Sequence, residues 1–334
     1  LYDASLRTQK EGFAFTLFAT DNIIPKKLNG KAMAIQHGIA WDIPRDRGNI
    51  PLLRQFLSRC RSAYSTVRRV GQVQQVVCVD YNFWNWYRTF SVPKEDKNIY
   101  VIPNFAQVNE WETKAPSDTV KVVFARRFVR RRGVSVFLEV VKQLKDYKNV
   151  SFTFAGEGPY LSDIEKLQKE QDNIIITKYE PSEAIRFHKD YDIAVVPTIG
   201  SEGTSFSLLE AMSAGNAVVC TAVGGMTNII LNDYNGLMVK PNSVEALKIS
   251  LEKLIKDPAL RATLAKNANV KELWLTHFSP ALPTEYINVN DSKKIFAMLV
   301  MVLTLMVCTT GATYAYFAIA PVSNSSATGT AATA

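Results

Sequence analysis

Two glutamates eight positions apart, Glu202 and Glu210, stand in the segment Ser201-Glu202-Gly203-Thr204-Ser205-Phe206-Ser207-Leu208-Leu209-Glu210. Upstream, Asp192-Ile193-Ala194-Val195-Val196-Pro197 predicts a short buried strand that ends at the proline. Downstream, Phe206 to Ala214 predicts a helix opened by a small hydroxyl residue and stopped by Gly215. Glu202 is then expected in the strand-to-helix loop, and Glu210 about a turn into the helix. Between them Gly203, Thr204 and Ser205 would present backbone N–H groups at a helix N-terminus, a natural site for an anion. An acid, an anion cradle and a second acid at the carboxyl end of one strand suit a ligand that carries both hydroxyls and phosphate. Taken alone, a surface loop leading into an amphipathic helix with a solvated Glu210 explains the same pattern.

The surrounding segments add to the pair. Val120 to Ala125 predicts an apolar strand, followed by Arg126-Arg127-Phe128-Val129-Arg130-Arg131-Arg132-Gly133 and a helical pattern from Val134 to Lys145. Val150 to Ala155 predicts another strand, ending in Gly156-Glu157-Gly158-Pro159. That turn is explained equally well by the ordinary demands of tight backbone geometry. After the second glutamate come a buried strand, Ala217 to Thr221, then Gly224-Gly225 and Asn235-Gly236-Leu237.

In this order the chain resembles the GT-B glycosyltransferases of the E-x7-E type, the large retaining family 4 or group 1. The resemblance implies two Rossmann-like domains and transfer of a sugar, with retention, from a nucleotide-sugar donor (UDP- or GDP-linked) to a glycan or lipid-linked acceptor, as in polysaccharide biosynthesis. No further cofactor and no metal are implied. Arg127 and Arg132 take the places of that family's phosphate-binding arginine and lysine. Planar guanidinium forks bind phosphate oxygens bidentately and stay charged. Arg126 stands where the family has glycine, so its side chain is expected to crowd a close backbone approach to phosphate. By the same resemblance Glu202 holds the sugar hydroxyls and Glu210 the ribose. Gly156, Gly158, Gly203, Thr204 and Ser205 line the nucleotide site, and His37, after the strand Ala32 to Gln36, lies beside the anomeric centre. Tyr100-Val101-Ile102-Pro103-Asn104 is similar to the segment before the family's domain linker. Asn228 stands where the family often has glutamate and is assigned no role.

Two other chemistries are excluded. Five arginines in seven positions (126, 127, 130, 131, 132) invite a nucleic-acid reading, but they lie between a strand and a helix with no interleaved aromatics to stack bases, so nucleic acid is not expected as a partner. Asp190-Tyr191-Asp192 contains the Asp-x-Asp of metal–diphosphate sites. Its acids come immediately before a buried strand, and no His/Cys/Asp cluster has ligand spacing, so no metal is expected.

At 334 residues the chain has room for two domains, and its net charge of +8 fits an anionic nucleotide donor or an acidic membrane surface. The expected fold is α/β. Residues 1–115 form a partial N-terminal acceptor-side domain, with strands near Phe13–Phe18, Ala32–Gln36, Gln75–Val79 and Ile99–Ile102. Residues 116–275 form the donor-binding domain, built of repeated βα units on a mostly parallel sheet. The four cysteines are scattered without a C-x-x-C, which suggests a reducing compartment. The chain starts without methionine and shows no glycine-rich loop after a first strand, so it is expected to be an N-terminally truncated fragment.

Residues 276–292 form a linker to an uncharged stretch, 295–320, long enough to span a bilayer and preceded by Lys293 and Lys294. Residues 293–320 are expected to form a transmembrane-like or signal-like helix, and 321–334 a disordered tail. The segment is also similar to the export signals of camelysin-like proteins, which makes it either an anchor or a joined foreign segment. The expected location is the cytoplasmic face of a bacterial membrane. Two alternatives stand beside the enzyme: a non-catalytic nucleotide-sugar-binding remnant, and a membrane-anchored surface or interaction module.

Overall fold

The computed structural model describes residues 15–39, 51–90, 98–106, 114, 117–200 and 202–268. The expected linker at 276–292, the transmembrane-like segment 293–320 and the tail lie outside them, as do most of residues 109–116 and Ser201. Among the described residues no helix is long and apolar enough to cross a membrane. The chain divides into two compact units, with the change between Pro103 and Asn104.

The first unit holds a four-stranded sheet, β1 (Phe15–Phe18), β2 (Lys31–Gln36), β3 (Gln75–Cys78) and β4 (Asn98–Val101), in that spatial order. All its pairings are parallel, for example Ile35 beside Val77. Helix α1 (Leu52–Val70) connects β2 to β3, and α2 (Tyr81–Phe90) connects β3 to β4. Asp80 starts α2 by accepting a hydrogen bond from the Phe83 N–H at 2.9 Å. Phe83 and Tyr87 then bury their stacked rings beneath the sheet.

The second unit is a six-stranded, fully parallel sheet in the order β10-β9-β8-β5-β6-β7. Its strands are β5 (Val120–Ala125), β6 (Val150–Ala155), β7 (Ile174–Thr177), β8 (Ile193–Val196), β9 (Ala217–Thr221) and β10 (Leu237–Val239). The helices between them are α3 (Val134–Gln143), α4 (Leu161–Glu170), α5 (Ala184–Lys189) and α6 (Phe206–Ser213), and α7 (Val244–Lys256) and α8 (Pro258–Asn267) follow β10. Starting at β5, the chain builds outward through β6 and β7. It then crosses back to pair β8 on the other side of β5, Val122 beside Ile193 and Val123 beside Ala194. The order is that of a doubly wound nucleotide-binding sheet, and β5/β8 is its switch point, where the two following loops diverge and leave a crevice.

These strands are apolar on both faces because helices cover both. Val120, Val122 and Phe124 face a core shared with α3, α7 and α8, while Val123 and Ala125 face α6. Phe124, Phe137 and Phe154 form the centre of the first core, with ring centroids 5.1–6.0 Å apart. Phe137→Ala, which empties the middle of that cluster, is expected to cost about 3–5 kcal/mol in urea unfolding while leaving far-ultraviolet circular dichroism native below the midpoint.

Candidate active site

The loop after β5 and the loop after β8 meet through charge. Arg126 leaves β5 with its side chain turned inward, where its Nη2 donates to Glu202 Oε2 at 2.7 Å and approaches Ser205 Oγ at 3.4 Å. Its Nη1 donates to Thr198 Oγ1. Arg132, two turns of loop later, donates to the same Glu202 Oε2, and Thr198 Oγ1 does so at 2.9 Å. Arg126 and Glu202 are 4% and 8% exposed, so this is a buried cluster in which two guanidiniums share one carboxylate. Arg126, the departure expected to crowd the phosphate path, is instead the buried anchor of the β8 loop.

Burial alone would raise the Glu202 pKa, but Arg126 and Arg132 outweigh it and hold the carboxyl down to about 2. Arginine stays protonated at any working pH, so the cluster titrates through the glutamate. Glu210 is the reverse case. Removed from water on the first turns of α6 and only partly compensated by Arg126, its carboxyl is pushed up to about 7.

A cavity of about 560 Å³ opens at the carboxyl ends of β5, β6 and β7. Arg126, Arg127 and Arg132 line one side of it, Gly156 and Glu157 the next, and Lys178, Tyr179 and Glu180 the third. Ser207 and Glu210 of α6 close the remainder. Arg127 is exposed to this cavity. Lys178 is held by Glu157 at 2.8 Å. With the single charge of Glu202 set against the three guanidiniums of Arg126, Arg127 and Arg132, the arginine wall keeps excess positive charge, which suits an anion.

The glycines that sequence placed near a ligand serve first as clearance for backbone. A Cβ on Gly156 would come within 2.3 Å of the Arg126 carbonyl oxygen, and one on Gly158 within 2.6 Å of that of Phe128. The β6 turn thus packs directly on the arginine loop. Gly224 does the same for the β8 loop, where a Cβ would fall 1.7 Å from the Glu202 carbonyl oxygen, and the Gly225 N–H donates to that oxygen at 3.0 Å. Asn104 donates from Nδ2 to the Thr204 carbonyl at 2.8 Å and steadies the loop from another direction. Helix α6 opens at Ser205 without a side-chain cap, so its first-turn N–H groups face out of its N-terminus beside Gly203 and Thr204.

His37 belongs to the first unit, where its Nε2 lies 2.8 Å from the Ala19 carbonyl oxygen. Asp192 of the Asp-x-Asp accepts from the Lys121 N–H at 2.8 Å, at the amino end of the sheet and away from the cavity. Among the described residues no group of three or more His, Cys, Asp or Glu side chains could hold a metal ion. Thr198, Lys178 and Tyr179 were not expected at the site, and Arg126 was expected there only as a side chain crowding the phosphate, not as the partner of Glu202. The signal for Arg126 was its place directly after a buried strand, where a charged side chain needs a partner.

Glu202→Gln should destabilise the second unit by about 3–5 kcal/mol, because it leaves Arg126 buried without its counter-charge. With a folded pKa of about 2 against an ordinary 4.5, the Glu202 contribution is complete above pH 4.5 and lost as pH falls toward 2. The gap between wild type and the glutamine variant in urea melts should therefore close over that range. Glu210 has the opposite sign: its folded pKa of about 7 lies above 4.5, so ionisation weakens the fold as pH rises through 7. Glu210→Gln should raise the melting temperature relative to wild type at pH 8, with the gain shrinking toward pH 5.

Residues 106–271 match the family described as glycosyl transferases group 1. An N,N'-diacetylbacillosaminyl-diphospho-undecaprenol alpha-1,3-N-acetylgalactosaminyltransferase of Campylobacter jejuni is 31% identical over 221 residues, covering 64% of this chain and 54% of that protein. An uncharacterized glycosyltransferase of Methanocaldococcus jannaschii, MJ1069, is 30% identical over 54% of this chain and 46% of its own length. The chain spans about half the length of the curated relatives it matches. Among solved structures, sucrose-phosphate synthase from Thermosynechococcus elongatus superposes with a TM-score of 0.67 at 18% identity, covering 90% of this chain and 77% of that one. Anabaena HepE, solved in complex with UDP, gives 0.62 at 14% identity over 81% of this chain and 77% of its own. At such identities the likeness is one of fold, and the fold is the Rossmann-like α/β architecture of GT-B proteins. Residues 106–271, which carry the charge cluster at the switch point of their sheet, are similar to the glycosyl transferases group 1.

Proposed function

We propose that this chain serves as a retaining glycosyltransferase whose second unit holds a nucleotide-sugar donor in the β5–β7 cavity. The observation that carries the reading is the excess positive charge of the arginine wall at the sheet's switch point, opposite a buried carboxyl. A diphosphate would lie against Arg127 and Arg132 and the N-terminus of α6, where guanidiniums and first-turn N–H groups meet charge that grows on the leaving phosphate. Glu202 would fix Arg132 in that position, and Arg126 would fix Glu202, in addition to the sugar-hydroxyl role expected for Glu202. Glu210 would take the ribose hydroxyls, Gly156 and Gly158 would bring the β6 turn close to the base, and Gly203, Thr204 and Ser205 would border the phosphates. The donor itself is the only small molecule required, with no metal and no separate cofactor.

Support for the donor class comes from the match to the glycosyl transferases group 1 and from HepE, solved with UDP and, in a second crystal, with UDP-glucose. Support for a lipid-linked or glycan acceptor comes from the name of the Campylobacter jejuni relative, whose substrate is a diphospho-undecaprenol. The setting proposed is the cytoplasmic face of a bacterial membrane, in keeping with Lys293 and Lys294 ahead of the uncharged stretch 295–320.

Arg127 gives the cleanest test because its side chain is exposed to the cavity and stands apart from the buried cluster. In a thermal-shift panel of UDP-, GDP- and ADP-sugars on the full chain, one nucleotide should raise the melting temperature by several degrees. Ligand at about 100 times its Kd contributes roughly 2.7 kcal/mol. Arg127→Ala should abolish the shift without lowering the melting temperature of the free protein. A shift that survives the substitution would remove the arginine wall from the donor site. A lost shift with no sugar transfer to any lipid-linked acceptor would favour the binding-only alternative.

A further inference from the structure

Glu157 and Lys178 put a charged pair of their own on the cavity wall, away from the arginines. Glu157 stands in the turn after β6 and Lys178 directly after β7, just past the paired residues Ala155 and Thr177. Lys178 Nζ donates to Glu157 Oε2 at 2.8 Å, so the pair bridges two neighbouring strand ends. The backbone beneath it is fixed: the Glu157 carbonyl accepts from the Phe128 N–H at 2.7 Å, and the Gly156 N–H donates to the Thr177 carbonyl at 2.9 Å. Lys178 and Glu157 are 67% and 72% exposed, and an ion pair so open to water contributes little to the fold. The hydrogen bond from Lys178, with the charges of Lys178 and Arg127, holds the Glu157 carboxyl below the usual carboxylate range, so it is ionised at neutral pH.

The place of the pair suits a nucleobase. Neighbouring strands lie about 4.8 Å apart, so the loop after β7 stands about 10 Å across the sheet from the loop after β5. A diphosphate on Arg127 and Arg132, with its ribose at Glu210, carries its base toward that end. Tyr179, next to Lys178, lines the same end, and its ring is held flat on Phe187 with centroids 4.4 Å apart.

The chemistry of the pair selects among bases. An ionised carboxylate only accepts and can take two adjacent donors, while an ammonium only donates. Guanine presents two adjacent donors on one edge, N1–H and the N2 amino group, with the acceptor O6 beside them. Adenine and cytosine present one amino group next to a ring acceptor, which leaves a carboxylate oxygen unused. Uracil sets its single N3–H between two carbonyl oxygens, so one of them would face the second carboxylate oxygen. Guanine alone among the four employs both oxygens of Glu157 and the ammonium of Lys178, each contact assisted by charge.

We infer, resting on the donor site proposed above, that Glu157 and Lys178 read the base of the donor and that this base is guanine, with the carboxylate accepting from N1–H and the N2 amino group and Nζ donating to O6. The substrate class is then a GDP-sugar.

Isothermal titration of the full chain with GDP, inosine diphosphate, UDP and ADP tests this, because inosine diphosphate differs from GDP only by lacking the N2 amino group. GDP should bind tightest, with inosine diphosphate about tenfold weaker. Glu157→Gln, which exchanges one acceptor oxygen for a donor, should weaken GDP about 10- to 100-fold and erase its advantage over inosine diphosphate. Lys178→Met should weaken both alike, since both keep O6. Neither substitution should change the melting temperature of the free protein, because both side chains are exposed. UDP or ADP binding more tightly than GDP, and still lost with Arg127→Ala, would overturn the guanine assignment and leave the donor site standing. A preference for GDP that survives Glu157→Gln would give the base reading to other groups and overturn it too. If none of the four binds at millimolar concentration, the donor site falls and this inference with it.

Discussion

A single carboxylate oxygen, Oε2 of Glu202, accepts from Arg126, Arg132 and Thr198, and the shape of the cavity follows from that junction. The three donors come from the two loops that diverge at the switch point of the sheet, after β5 and after β8. Ion pairs at a surface contribute little, but here Arg126 and Glu202 are both withdrawn from water, and neither charge is tolerable without the other. The pair therefore acts as a constraint on geometry more than as a source of net stability. It fixes how far the β8 loop can stand from the arginine loop, and so where Arg132 and the N-terminus of α6 point.

The glycines complete that constraint from the backbone side. Gly224 and Gly225 lie on the Glu202–Thr204 backbone, and Gly156 and Gly158 on the Arg126–Phe128 backbone, each at distances that leave no room for a side chain. Four loops after β5, β6, β8 and β9 are thus stacked on one another, with a charge cluster inside the stack and an excess of positive charge on its open face. The same stack desolvates Glu210, whose raised pKa is a consequence of where α6 is held. In the first unit the sheet is equally regular, yet α1 leaves its apolar stripe outside, so the two units divide the chemistry: one gathers charge inward, the other presents it with apolar surface.

Much of this was legible in the residues. In the second unit the strands β5, β6, β8 and β9 followed from continuous Val/Ile/Phe runs separated by helical patterns, with ends displaced by at most a residue, whereas β7 and the three-residue β10 were not read as strands. Glu202 in the loop and Glu210 on the following helix were set by the proline and small hydroxyl residues around them. The glycine pairs could be recognised as turns, but their reason, contact with a backbone distant in sequence, could not.

What the sequence determined by itself is local: periodicity of apolar residues, positions of chain-breaking residues, and which loops carry acids and arginines. Tertiary structure decided which arginine meets which acid. Five arginines in seven positions are indistinguishable by type, and only the crossing of β8 back beside β5 turns Arg126 inward to Glu202, 76 positions away, while Arg127 stays outside. It also decided the face of α1, because an amphipathic pattern states that a helix has two sides and is silent on which of them the neighbouring sheet will cover.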